Sequence, residues 1–260
     1  MTSICSICSS SLGKKYLMAL SGFVLVAFVF VHMAGNLQMF AGAEAINTYA
    51  YQLKALPWFV LWGSRLFLFA AVVVHAWTAA KICAENRASR PMTNDLEITK
   101  KSGWASLNMG LTGSILFAFI VFHILHFTTQ TVFPDYKELT THVPASDGAE
   151  VHDVYLMVLS SFGVEWLSAV YVLCMFLLCR HLTHGVSSMF QSLGLRQESW
   201  RSKLDSLATL YGWVIFFGFI SIPVAVILQK HGVVEVFDKV AFGQAVPAAV
   251  SSSNPQSPTQ

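Results

Sequence analysis

Five stretches of this chain stay apolar for at least roughly the 20 residues that a helix needs to cross a bilayer, and four of them contain histidine. The first, Leu17 to Phe40, reads LMALSGFVLVAFVFVHMAGNLQMF, with His32 about two thirds of the way along. His75 lies in the second, His123 and His126 in the third, and His181 and His184 in the fourth. An imidazole inside a membrane helix is costly unless it has a partner, so four helices carrying histidine ask for a shared ligand. Composition agrees with the membrane reading. Of 260 residues, 55% are hydrophobic and 12% charged, with a mean hydropathy of +0.57, whereas soluble domains run at about 45–50% apolar and about 25% charged. A net charge of +2 is too small to point to nucleic acid. The first apolar run is longer than a signal-peptide core of about 7–15 residues, so it is expected to remain in the mature protein.

The spans are expected at 16–40, 58–82, 105–133, 155–184 and 204–229, within a single helical domain over 1–240. Residues 241–260 form an Ala/Ser/Pro tail with the composition of a disordered end. Between the first two spans, residues 41–56 suit a surface loop or a short interfacial helix ended by Pro57, and Trp58 and Trp62 read as interface anchors. Basic residues decide the orientation. Lys14, Lys15, Lys81, Arg87, Arg90, Lys100, Lys101, Arg196, Arg201 and Lys203 flank the N-terminus and the loops after spans two and four, against Lys54 and Lys137 on the other side. The positive-inside rule therefore predicts a cytoplasmic N-terminus and an outer C-terminus. The outer loop after span three is acidic, with Asp135, Glu138, Asp147, Glu150 and Asp153.

Helical rise sorts the histidines by depth. His32 follows Lys15 by 17 residues, about 25 Å from the inner face. His75 follows Trp58 by 17 residues on a returning helix and so lies in the inner half. His123, 19 residues past Trp104, is back at the outer level, roughly 28 Å along, and the fourth-span histidines sit near its inner end. Two pairs at two depths suit bis-histidine ligation of haem iron, one imidazole from each side of a flat macrocycle, supplied by facing helices. The fold expected is thus an all-α integral membrane protein, a five-helix dihaem bundle. For one histidine alone, a hydrogen-bonded packing role is the ordinary reading. A non-haem metal site built from the i, i+3 pairs His123/His126 and His181/His184 would also need bridging glutamates, and Glu165 is the only glutamate within an expected span. The five cysteines form no framework: Cys5 and Cys8 make one C-x-x-C without the following histidine of covalent haem attachment, and Cys83, Cys174 and Cys179 read as packing residues.

Taken together, GKKYLMALSG entering span one, HMAGNLQMF around His32, HAWTA around His75, HILHF around His123 and HLTHGVSSMFQSLGL around His184 resemble the cytochrome b membrane subunit of the succinate:quinone oxidoreductases. That is the succinate dehydrogenase/fumarate reductase superfamily, here in its single-chain dihaem five-helix form. The resemblance implies two b haems, a quinone (menaquinone) as electron partner, and attachment to a flavoprotein and an iron–sulfur subunit on the cytoplasmic side of a bacterial inner membrane. Carried over residue by residue, it implies that His32 and His123 hold the outer haem and His75 and His184 the inner one. His126 and His181 would then stand beside the haems, toward propionates. The choice of His184 over His181 rests on the histidine directly before glycine, and that of His123 over His126 on a His-Leu-x-x-Phe pattern.

Arg65, ten residues before His75 and so near the outer haem level, is expected to meet a propionate, with snorkelling to the interface as the alternative. Glu165 could be a buried proton carrier, and Arg180 an interfacial cation. Where some family members carry a proton-transferring glutamate two residues before the fourth ligand, this chain has Leu182. Asn36 and Gln38, beyond His32, are polar enough to line an outer quinone site, though interfacial solvation is the ordinary reading and is preferred. Two rivals stay open: a dihaem cytochrome b of another quinone-linked dehydrogenase, such as a hydrogenase, and a haem-free metal or proton transporter.

Overall fold

The structure is a computed structural model in which residues 10–88 and 109–246 are described. Cys5, Cys8, Arg90, Lys100, Lys101 and the expected start of the third span lie outside the described residues. Those described form a nearly all-α, multi-pass membrane protein. Its five helical segments long and apolar enough to cross a membrane are Ser11–Ala41, Trp58–Asn86, Met109–Thr128, Glu165–Ser192 and Glu198–Lys230.

Helix α1 (Ser11–Asn36) is capped by Ser10, whose hydroxyl accepts from the Gly13 N–H at 3.0 Å, satisfying one of the donors a helix start leaves free. After a tight turn over Leu37–Ala41, α2 (Ala43–Lys54) lies across the end of the bundle. Pro57 opens α3 (Trp58–Ala88), where its missing N–H removes no helical bond. Helix α4 (Met109–His123) runs on into a π-helical turn, Ile124–Thr128. A small antiparallel hairpin follows, β1 (Thr140–His142) on β2 (Glu150–His152), with Thr140 opposite His152. Then come α5 (Val154–Phe162), α6 (Glu165–Ser192), α7 (Glu198–Lys230) and α8 (Lys239–Ala245).

Packing follows a closed ring. Helix α1 neighbours α3 and α6, and α4 neighbours the same two, so α1 and α4 face one another across one diagonal and α3 and α6 across the other. Helix α7, which has no histidine, lies outside the ring against α6 and α1. Close approach there needs glycine: a Cβ on Gly212 would stand 2.9 Å from the Cys179 carbonyl oxygen of α6, which is how small residues let membrane helices pack. Lys14, 5% exposed, pairs with Glu85 and ties the start of α1 to the end of α3.

The fourth segment differs from the continuous helix expected over 155–184. It breaks at Gly163 and Val164 into α5 and α6. Glu165 therefore sits not in mid-membrane but in the first turn of α6, where a carboxylate suits the helix dipole. It is exposed there and bonded to Lys230 at 3.0 Å. Residues 241–246, expected within the tail, are ordered: α8 runs to Ala245 and buries Phe242 and Val246 against α5.

The hairpin end of the bundle holds the largest apolar core, in which Met39, Ile46, Tyr155, Leu159, Phe162, Leu167, Val226 and Phe237 join α2, α5, α6 and α7. Its polar pin is Asn47, 2% exposed. The side-chain oxygen of Asn47 accepts from the Val154 and Tyr155 N–H groups at 2.8 and 3.0 Å, and its amide donates to Asp153 at 3.0 Å. Asp153 in turn caps α5 through Leu156 N–H at 2.9 Å. The neighbouring His152 donates from Nδ1 to the Leu139 carbonyl at 3.0 Å and accepts at Nε2 from Gln130 at 2.7 Å.

Asn47→Ala is expected to strand three bonded partners and destabilise the hairpin end by about 1–3 kcal/mol, read as a lower melting temperature in detergent and faster proteolysis within 134–153. Burial, followed by the nearby Lys54 charge, holds the His152 imidazole below its ordinary 6.5. The unfolded chain therefore takes up that proton first. The contribution of His152 is complete above 6.5 and is lost as pH falls from there toward the folded value. Protection of the hairpin from protease should drop over that window, and His152→Gln should flatten the dependence.

Candidate functional site

The ring of four helices brings six of the seven expected site residues toward its interior or its ends, and sorts them differently from the sequence. His32 of α1 and His123 of α4 meet across one diagonal, with ring centroids 5.8 Å apart and an interplanar angle of 82°. His75 of α3 and His181 of α6 meet across the other, at 6.3 Å and 67°. The second pair lies beside Ser21, whose hydroxyl is 3.4 Å from His75 Nδ1. Eleven residues of α1 separate Ser21 from His32, so the two pairs stand about 16 Å apart along the bundle.

His181, rather than His184, is thus the ring opposite His75. Because α6 starts at Glu165, His181 falls 16 residues into the helix, about 24 Å along it, level with His75, which lies 17 residues into the parallel α3. His184 lies one turn further on, half-buried, with Arg196 and Asp205 as its charged neighbours. Arg196 Nη2 donates to both carboxylate oxygens of Asp205, at 2.8 and 2.6 Å, and Ser187 also donates to Asp205 at 2.5 Å. Arg65 is exposed on α3, with its guanidinium 5.2 Å from the Trp62 ring centroid, the cation–π geometry of a side chain at the membrane interface. Asn36 donates to the His32 backbone carbonyl at 2.7 Å and keeps its amide beside the His32 ring.

His126 has a separate arrangement. It is 0% exposed and both ring nitrogens are bonded, Nδ1 to the Tyr171 hydroxyl at 2.8 Å and Nε2 to the Ser161 hydroxyl at 3.2 Å. The π-helical turn adds a residue to the helical repeat and directs His126 onto α5 and α6 while His123 faces His32. A ring engaged at both nitrogens has no lone pair left for a metal. Tyr171 and Ser161 were not legible as site residues: a tyrosine or serine in an apolar span carries no pattern until the helix that meets it is known.

Both diagonal pairs fit the axial ligation of a flat metal macrocycle. With metal–imidazole bonds of about 2 Å and ring centroids roughly 1 Å further out, two imidazoles on opposite sides of one metal have centroids roughly 6 Å apart. His181 Nδ1 is buried without a hydrogen-bond partner among the described residues. Two glycines stand against the imidazole edges: a Cβ on Gly22 would lie 3.3 Å from His75 Cε1, and one on Gly113 3.5 Å from His181 Cε1. Among the described residues, no three His, Cys, Asp or Glu side chains converge to hold a bare metal ion. An open groove of 750 Å³ along α7, from Glu198 to Trp213, contains none of the histidines.

His126→Leu should remove one hydrogen-bond partner from each of the Tyr171 and Ser161 hydroxyls in an apolar core, at a cost of about 1–3 kcal/mol, seen as a fall in melting temperature in detergent.

No protein-family model matches the chain, and neither a curated protein nor a solved structure is similar enough to count as a relative, so the chemistry of the site rests on its own geometry.

Proposed function

We propose that this chain is the cytochrome b membrane-anchor subunit of a succinate:quinone oxidoreductase, the part of the complex that holds two b haems and exchanges electrons with a membrane quinone. One observation carries the reading: two histidine pairs, each with ring centroids close to 6 Å apart, cross the two diagonals of one four-helix ring at two levels. A haem b between two imidazoles supplies one-electron chemistry, with its potential tuned by its ligands and by the dryness around it.

In this reading His32 and His123 hold one haem and His75 holds the other, with His181 or His184 on its far side. The imidazole edges beside Gly22 and Gly113 leave the helix backbones close to the ring plane. Phe28, stacked on His32 at 5.4 Å, and Phe219, at 5.9 Å, exclude water from the first pair. Asn36, whose amide stands beside the His32 ring, and Gln38, two residues on in the chain, would be the groups to hydrogen-bond menaquinone. The flavoprotein and iron–sulfur subunits would dock at the end that carries Lys15, Arg196, Arg201 and Lys203, on the cytoplasmic side of a bacterial inner membrane. Dicarboxylate chemistry belongs to those partners.

The test is a pyridine haemochrome assay with a reduced-minus-oxidised spectrum on the full chain, extracted with whatever subunits accompany it. About two b haems per chain are expected, falling to about one in His32→Ala, in His75→Ala and in His123→Ala. Comparing His181→Ala with His184→Ala identifies the fourth ligand. A well-folded wild type without haem overturns the reading in favour of a transporter, and copurification with a hydrogenase in place of a flavoprotein and an iron–sulfur protein transfers it to that enzyme.

A further inference from the structure

Beyond the two histidine pairs, one buried polar chain runs away from His123 toward the hairpin end. The Tyr171 hydroxyl lies 3.5 Å from His123 Nδ1 and 2.8 Å from His126 Nδ1. His126 Nε2 is 3.2 Å from the Ser161 hydroxyl, which is 2.7 Å from the Met157 carbonyl and 3.2 Å from the Tyr136 hydroxyl. Tyr171, His126 and Ser161 are 6%, 0% and 0% exposed. Four aromatic rings box the Tyr171 side chain: Phe119 at 5.1 Å, Phe162 at 5.2 Å, Phe127 at 5.8 Å and Phe122 at 6.1 Å. Its hydroxyl therefore has one place to be.

The shortest Ser161 contact, 2.7 Å to the Met157 carbonyl, which can only accept, sets the direction along this chain. Ser161 gives its proton to the Met157 carbonyl or to Tyr136 and so accepts from His126 Nε2–H. His126 is then unprotonated at Nδ1 and accepts from the Tyr171 hydroxyl. The Tyr171 oxygen, having spent its own proton, keeps its lone pairs for a donor, and the group that faces them is His123 Nδ1. The chain thus selects the His123 tautomer that carries its proton on Nδ1 and leaves Nε2 free. A π-helical turn at Ile124–Thr128, a backbone form that recurs at functional sites, is what lets His126 complete the chain.

We propose that Tyr171, locked by His126 and Ser161, is a positioning residue for His123, fixing the tautomer and orientation of that imidazole and setting its strength as a metal ligand. The inference rests on the haem reading above and concerns one of the two haems alone. A ring N–H that donates to a fixed acceptor makes the imidazole a stronger base. A more basic ligand favours the ferric form, which carries the greater charge. Removing the acceptor weakens that preference, so the potential of the haem held by His123 should rise, while the haem held by His75 is untouched.

Redox titration of the haem spectrum and low-spin ferric EPR, on the full chain with its accompanying subunits, test this in wild type, Tyr171→Phe, Ser161→Ala and Ser161→Thr. In Tyr171→Phe both haems should be retained. One of them should shift toward its reduced form by roughly tenfold at fixed ambient potential, which is about 59 mV for one electron, with a changed EPR g value. Ser161→Ala should shift the same haem in the same direction by less, and Ser161→Thr, which restores a hydroxyl, should return toward wild type. If Tyr171→Phe fails to fold, the serine pair carries the test by itself. Two haems with wild-type potentials and EPR in every folded variant overturn the inference while leaving the haem reading intact, as do equal shifts of both haems. A wild type without haem fails the reading itself.

Discussion

Water is absent from the middle of a bilayer, and this one constraint organises the molecule: every polar group carried into an apolar helix must find its partner inside the protein. The chain answers it in two ways. His126 is satisfied by protein alone, with one hydroxyl at each ring nitrogen, and is fully buried. His32, His75, His123 and His181 are instead set in facing couples, and His181 Nδ1 has no hydrogen-bond partner among the described residues. The contrast separates an imidazole closed on protein hydroxyls from imidazoles that face one another across the ring.

The couples exist because the ring of α1, α3, α4 and α6 closes. Diagonal helices in a four-membered ring are held apart by the two between them, which leaves room at the centre for large side chains and for a ligand. Placing α7 outside the ring keeps the centre free of a fifth set of side chains. Its own contact combines close backbone approach at Gly212 with polar links, Asp205 accepting from Ser187 of α6 and Tyr211 donating to the Val26 carbonyl of α1.

The two ends of the bundle are built differently. At the hairpin end, α2, α5 and α8 pack with the ends of α6 and α7 around one apolar core, pinned by Asn47 and Asp153. It encloses His126, Ser161 and Tyr136, so the segment that follows α4 also shields the interior beside His123. The opposite end is held by ion pairs, Lys14 with Glu85 and Arg196 with Asp205, and leaves charged surface exposed.

Hydropathy was enough to count the membrane helices and to place histidine on four of them, because the requirement for some 20 apolar residues acts locally along the chain. Rise per residue also sorted His32 with His123 and put His75 at the other level. What the sequence could not supply is rotation and interruption. His181 and His184 are one turn apart on the same helix, and which of them faces His75 depends on where α6 begins. That start lies at Glu165, because α5 turns away at Gly163 to pack on α2 and α8. His123 and His126 are separated by the same spacing, yet a π-helical turn sends one to His32 and the other to Tyr171 and Ser161. Pattern along a chain records depth; direction around a helix is decided by what the neighbouring helices bring to meet it.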